Sequence, residues 1–281
     1  MIPTILGDQM KAPDFDYLRP ANLDAALAML AEHDGNAVPL AGGQSLMPMM
    51  NFRVASPEVL IDLADVAELR GITRNGDHVR IGAMTRYVQL SKDPIILADV
   101  PLIGMALPHI AHDAIRNRGT IGGSLALADP AAEMPALMLA LDAAIEVVGA
   151  NGTRLIKADN FFLSYFETVL EEDELITAVV IPTASNTQSF GFCELTQRHG
   201  DYALAGVAVS RTDAKYRIAF FGVADRAVRV AALEDTVGDD LEKALAHLDE
   251  IEFTDDGKAN AATRQRLAGV ALTRALEEMT S

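Results

Sequence analysis

The sequence predicts an α+β protein in two lobes, on three observations. Stretches with helical spacing of apolar residues alternate with short apolar runs along the chain. Two Asn-Gly pairs, Asn75-Gly76 and Asn151-Gly152, each lie between apolar runs, the strongest short signal for an antiparallel hairpin. A polar, turn-rich stretch, "TASNTQS" at 183–189, separates a mixed segment from one that reads as three strands and two amphipathic helices. The chain has 281 residues, 50% of them hydrophobic, which is enough for about two domains with their own cores.

In chain order, Asn22 is a good N-cap for "LDAALAMLAEHDG". Leu23, Ala26, Leu27 and Leu30 share one face of that helix, and Gly35 stops it. "AVPLAGG" reads as a short strand and a glycine turn, leading into a short helix in "QSLMPMMNFR". "EVLIDLADVAELRGI" supplies a strand and a helical turn, and "ITRNGDHVRIGAMT" the first hairpin. A helical stretch over 86–112 precedes a second glycine loop in "IRNRGTIGGSLALADPAAEMP". "PALMLALDA" is apolar and helical, "AAIEVVGANGTRLIKA" is the second hairpin, and "ELITAVVIP" is a buried strand closing at Pro182. Beyond the boundary, "FGFCELTQ", "YALAGVAVSRT" and "KYRIAFFGVA" are the three strands; "GDDLEKALAHLDEI" and "NAATRQRLAGVALTRALEEM" are the helices.

A formal net charge of −17 disfavours nucleic acid and anionic membrane surfaces as partners. The single cysteine, Cys193, forms no disulfide within the chain and cannot by itself hold a four-thiolate cluster. No apolar stretch approaches the ~20 residues of a membrane span. The start, "MIPTILGDQMKAPDFDY", lacks the basic-then-apolar pattern of a leader, so the cytoplasm is the expected location.

"AGGQS" (Ala41, Gly42, Gly43, Gln44, Ser45) and "TIGGS" (Thr120, Ile121, Gly122, Gly123, Ser124) each join a glycine pair to a small hydroxyl residue. Glycines let backbone N–H groups converge on an anion, and two such loops can clasp a diphosphate, as in an adenine dinucleotide. The alternative is that the glycines only close turns. A side chain at Gly122 is expected to intrude where phosphate approaches. Motifs for a Rossmann site, a P-loop, a zinc protease helix and a hydrolase elbow are absent. His109 and His112 suit a surface or helix-end role better than metal. Arg116 and Arg118 either approach phosphates or pin the loop. Asp129 and Glu133 either accept from sugar hydroxyls or cap the helix that follows. Tyr202, in "RHGDYAL", either stacks on a planar ring or packs at a strand edge.

"LAGGQSLMPMMNFR", "IRNRGTIGGSLALADPAAEMP" and "RHGDYALAGVAV" together resemble the FAD-binding medium subunit of molybdenum hydroxylases. The carbon monoxide dehydrogenase medium subunit is typical of this family, and the xanthine dehydrogenase flavin domain is more distantly related. The resemblance runs from about Phe15 to the C-terminus and keeps the motifs in order. It implies a vanillyl-alcohol-oxidase-type (PCMH) FAD domain of two α/β subdomains over 1–182. A C-terminal domain over 183–281 would hold a three-stranded antiparallel sheet and helices. It implies non-covalent FAD, with the diphosphate on the backbone of Ala41–Ser45 and Thr120–Ser124, flanked by Leu40, Leu46 and Ile110. Glu133 and Asp129 would bond the cofactor, Ile176 would sit by the flavin ring, and Tyr202, beside Asp201, would cover it. Gln44 and Leu127 stand where relatives often have His, Glu133 where Asp is usual, and Gln197-Arg198 where an Arg-Arg pair is usual.

The resemblance also implies electron relay. A molybdenum-cofactor large subunit would hydroxylate the substrate, a small subunit would pass electrons through 2Fe-2S clusters, and this chain's FAD would deliver them to an external acceptor. Assembly would be a dimer of heterotrimers. The rivals are a self-contained flavin oxidoreductase, which needs an acid or base over the ring, and a non-redox assembly module.

Overall fold

A computed structural model describes residues 12–33 and 35–279; the start of the chain, read above as carrying no leader, lies largely outside them. The first layer is β1 (Asp16–Leu18), α1 (Leu23–Glu32), β2 (Ala37–Leu40), α2 (Leu46–Asn51) and β3 (Val59–Asp62). Its strands form a parallel sheet in the order β1-β3-β2. The Asn22 side chain accepts from the Ala25 N–H at 2.9 Å, which caps α1 as its sequence demands. Ala26 and Leu30 bury that helix on the sheet.

The second layer holds β4 (Ile72–Asn75), β5 (His78–Gly82), α3 (Tyr87–Leu90), α4 (Pro94–Asp99), α5 (Pro101–Ala106), α6 (Asp113–Arg116), α7 (Ile121–Leu127) and α8 (Glu133–Ala140). It continues with β6 (Ala144–Gly149), β7 (Gly152–Lys157), the small hairpin β8 (Phe162–Ser164) and β9 (Glu167–Thr168), and β10 (Leu175–Pro182). An antiparallel sheet runs β4-β5-β10-β6-β7. Both expected hairpins form, each with its turn displaced by one residue. Asn75 pairs with His78, so Gly76 (φ +63°) and Asp77 make the first turn. Gly149 pairs with Gly152, so Ala150 and Asn151 make the second, and Gly152 takes the left-handed position after it. The helical stretch over 86–112 is broken into three because Pro94 and Pro101 each open a new helix.

The third layer is β11 (Gln188–Leu195), β12 (Ala205–Thr212), β13 (Lys215–Phe221), β14 (Val228–Arg229), α9 (Ala231–Thr236), α10 (Leu241–Ala246) and α11 (Ala261–Glu278). The sheet β11-β12-β13-β14 has a fourth strand where three were expected; its two residues are too few to show a period. Ala268, Ala271, Leu272 and Ala275 of α11 cover one face, against Val207, Val209, Ile218 and Phe220. The other face, with Phe192, Ala208, Ala219 and Phe221, joins the core of the second layer.

Between those sheets lies α8, buried along its whole length, which is why its sequence is apolar on every side. Its last carbonyls are capped from β12 and β13: Ser210 Oγ donates to Ala140 O at 2.6 Å and Arg217 Nε to Leu139 O at 3.0 Å. Its first residue, Glu133, is thereby fixed in a buried position between the layers.

Candidate functional site

The two glycine segments meet. A Cβ added to Gly42 would stand 2.9 Å from the carbonyl carbon of Arg118 and 3.0 Å from Gly119 Cα. One added to Gly123 would stand 3.3 Å from Ala41 Cβ. Only glycine permits this approach.

Their hydrogen bonds differ. Thr120–Ser124, read as a loop, is the N-cap and first turn of α7. Thr120 is the cap, and Gly123 N–H donates to its Oγ1 at 3.1 Å. Ile121 N–H donates to Thr85 O (3.1 Å), Gly122 N–H to Ala83 O (2.8 Å) and Ser124 N–H to Thr120 O (3.1 Å). The expectation that this backbone is free for a diphosphate is corrected accordingly. Besides those committed N–H groups, the segment holds the Gly123 N–H, shared with its cap, the buried Thr120 hydroxyl that accepts it, and the Ser124 hydroxyl, which bonds with Tyr87. Gly122 is buried, and a Cβ there would stand 2.5 Å from Ala83 Cβ, so its bareness serves packing and not phosphate approach.

In the other segment, Gly43 has φ +69° and Gln44 Nε2 ties the turn by donating to Gly42 O at 3.0 Å. Among the described residues, none accepts from the N–H groups of Gly42, Gly43, Gln44 or Ser45. Successive N–H groups left without a protein acceptor are available to an anion. Leu40 ends β2 on one side of it and Leu46 opens α2 on the other.

Further along, Arg116 donates to Ile110 O (2.7 Å) and Ala111 O (2.8 Å) and pairs with Asp113 (2.6 Å), which settles its role as the pin of this segment. Arg118 is exposed. Ile110 is buried on one side of the pin, and Gly200, with φ +84°, packs against Ala111 on the other. The turn with Gly200, Asp201 and Tyr202 is thereby brought beside Ile110. Asp201 is exposed, its N–H donating to Arg198 O at 3.0 Å. Tyr202 is 53% exposed. Ile176 lies buried in β10, which passes against α7, and the strand register shifts between Ile176 and Ala178. His112 stands exposed at the N-cap position of α6, without a side-chain cap bond.

The Tyr202 hydroxyl faces the Asp129 carboxylate; burial first, then that charge, pushes the phenol up to about 12. Lys258 Nζ stands 5.5 Å from the ring centroid. Asp129 also accepts from Ala131 N–H at 2.9 Å, and burial raises its carboxyl above the usual range. Asp129 does not cap α8: the helix begins at Glu133, its N-cap is Ala132 without a side-chain cap bond, and Asp129 instead ties the turn before it. Burial pushes Glu133 up to about 7.

Two contributors escaped the sequence. Tyr87 is buried with its hydroxyl toward Ser124, and burial raises its phenol. Glu194, whose side chain is 1% exposed, is pushed up to about 8 by burial, with the charge of Glu133 added. Alternation along "FGFCEL" was the available signal, since it puts Glu194 on the inward face with Phe192. Together the cleft offers N–H donors for an anion at one end, and an aromatic ring among weakly acidic carboxyls at the other. No described helix is long and apolar enough to cross a membrane, and no described group of three or more His, Cys, Asp or Glu is arranged to hold a metal.

Residues 13–184 match the family model described as the FAD-binding domain in molybdopterin dehydrogenase. The chain is 37% identical over 280 residues to the caffeine dehydrogenase subunit beta of a Pseudomonas species, covering 95% of each. A chain of carbon monoxide dehydrogenase from Hydrogenophaga pseudoflava superposes with a TM-score of 0.93 at 36% identity, over 96% of this chain and 98% of that one. A chain of quinoline 2-oxidoreductase from Pseudomonas putida gives 0.91 at 34%, over 96% and 98%.

Proposed function

The chain belongs to the family of FAD-binding domains of molybdopterin dehydrogenases, and on that premise we propose that it is the electron-transferring medium subunit of a heterotrimeric molybdenum hydroxylase. The observation that carries the reading is the contact of the two glycine segments, which brings the turn of Gly42–Ser45, whose N–H groups have no acceptor among the described residues, beside the start of α7. A cofactor with a diphosphate in its middle and a planar ring at one end fits this cleft. FAD, when bound, supplies the capacity to take electrons singly and release them in pairs.

The residues of the chain bind and orient. Gly42, Gly43, Gln44 and Ser45 donate backbone N–H groups to the diphosphate, and Thr120, Gly123 and Ser124 complete the clasp. Leu40, Ala41, Leu46, Ile110, Ile121 and Gly122 shape the walls. Asp129 and Glu133 bond the ring-bearing half, Ile176 borders the ring, and Tyr202, placed by Asp201, covers it. Residues 1–182 form the cofactor domain and 183–281 supply the covering turn. Electrons arrive from 2Fe-2S clusters on a small subunit, which receives them from a molybdenum-cofactor large subunit, and they leave to an external acceptor. The assembly is a dimer of heterotrimers in the cytoplasm.

Absorbance of the purified chain, and its turnover alone and with the two partner chains, test this. The expected result is bound FAD, no substrate oxidation by the chain alone, and flavin bleaching by substrate once both partners are added. Turnover by the isolated chain would replace this reading with a self-contained oxidoreductase. A folded chain that takes up no flavin would leave an assembly module.

A further inference from the structure

Glu194 is a buried carboxyl without the partners such a group needs. Its Oε1 is sealed from solvent and has no hydrogen-bond partner. On β11 it shares with Phe190 and Phe192 the face turned to the second layer, while Cys193 and Leu195 face α11. Two layers meet around it. His109, after α5, places Nδ1 3.6 Å from Glu194 Oε2, and Glu133 bears on it from the start of α8. His199, in the turn beyond β11, sets its ring centroid 6.1 Å from that of His109. Glu278 of α11 acts on His109 and, with Arg274, on Cys193. Among the described residues, no guanidinium or ammonium lies within ion-pair distance of Glu194.

A charged Glu194 would therefore be uncompensated, and burial of such a charge drives proton retention. His109 does not offset it. Its contact is longer than a hydrogen bond, and burial, helped by His199, lowers its pKa, so the ring is neutral at neutral pH. With its side chain 40% exposed, His109 stands between the sealed carboxyl and solvent. Gly200 packs on Ala111, two residues from His109, and so keeps the Tyr202 turn beside this pair.

We infer that Glu194 and His109 form a proton-holding pair at the ring-bearing end of the cleft, with the proton on the buried carboxyl, and that this pair sets how the potential of the bound flavin depends on pH. The inference rests on the FAD reading above. Electrons reaching the cleft add negative charge near Glu133 and Glu194, which makes the Glu194 proton harder to lose. Where Glu194 is ionised before reduction, it takes one proton from solvent on the side where His109 stands. An O–H bond forms on Glu194, and the electrons stay on the cofactor. Glu194 touches no reacting atom in this scheme and is a positioning residue.

The test is a spectroelectrochemical titration of the flavin-loaded protein on both sides of about pH 8. Native protein is expected to lose potential more steeply with pH across that range, by one further proton per electron pair. Glu194→Gln should lack the steep portion, coincide with native protein at the acid end and lie above it at the alkaline end; Glu194→Asp should restore the steep portion. Infrared spectra should show a protonated-carboxyl band in native protein that is missing in the Gln variant. A Gln variant with full flavin and a curve superposable on the native one overturns the inference and leaves the FAD reading intact. If the variant does not fold, the native curve and band decide, and their absence overturns it. If the chain takes up no flavin, the FAD reading fails first, and absence of the band in the flavin-free chain overturns the pair as well.

Discussion

Replacing Gly42 by alanine puts one methyl group into the contact on which the cleft depends. Its carbon would stand 2.9 Å from the Arg118 carbonyl carbon and 3.0 Å from Gly119 Cα. Relaxed carbon contacts need about 3.5–4.0 Å, so the segments must part by roughly half an ångström or more. No flexible side chain can yield, because both neighbours are backbone. Gly119 is held on both sides: its N–H donates to Ile115 O at 2.7 Å and its carbonyl accepts from Tyr87 N–H at 3.1 Å. Overpacking of this kind costs about 1–3 kcal/mol. Placed wholly on the flavin-loaded state, that is about 5- to 150-fold in the Kd for FAD. Quenching of flavin fluorescence on reloading the flavin-free protein measures the Kd, and melts with and without FAD separate binding from folding. Gly76→Ala is the control: nothing lies within 4 Å of its added Cβ, although φ is +63°. It should cost about 1–2 kcal/mol of backbone strain and leave the Kd unchanged. Native FAD affinity together with a native melting temperature in Gly42→Ala would refute the claim that the two segments are pressed together.

Tyr202→Ala should keep FAD bound while shifting its visible spectrum or potential; an unchanged spectrum and potential would remove Tyr202 from the ring face. Glu133 has its folded pKa raised to about 7 by burial, so its contribution to stability is full below its ordinary 4.5 and is lost as pH rises through about 7. Glu133→Gln should therefore flatten the fall in unfolding free energy over that interval, by an amount of order 1–3 kcal/mol, read from denaturant titrations along the pH series, and a native-like slope would contradict it. Arg264 is 4% exposed and donates to Leu204 O (2.9 Å), to Gly222 O and to Asp256 (2.6 Å). Arg264→Ala strands all three and should cost about 3–5 kcal/mol in a denaturant titration. Asp256, held at about 2 by the Ala259 N–H and further by Arg264, contributes stability above its ordinary 3.8 that is lost as pH falls toward 2. The acid limb of stability should shrink in the same variant, and an unchanged limb would dissociate Asp256 from Arg264.

Local chemistry was legible where one residue decides the outcome: Asn22 caps α1, Pro94 and Pro101 open helices, and the Asn-Gly pairs mark hairpins to within one residue. Distant pairings were not. "AGGQS" and "TIGGS" look equivalent in the chain, yet they divide the work. Gly122 lies bare against Ala83, and its N–H closes onto Ala83 O, because the segment docks beside β5. It is the clamp. Gly42 lies bare against Arg118, and its own N–H and the three after it stay uncommitted because none of the described residues accepts from that turn. It is the hand that grips. The same asymmetry explains Glu194. A carboxylate on the inward side of an alternating strand is an error of patterning unless the neighbouring layer needs a weak acid there. Which layer that is depends on β11 packing on α5 and the residues after it, a contact between residues about eighty-five positions apart that no local period encodes.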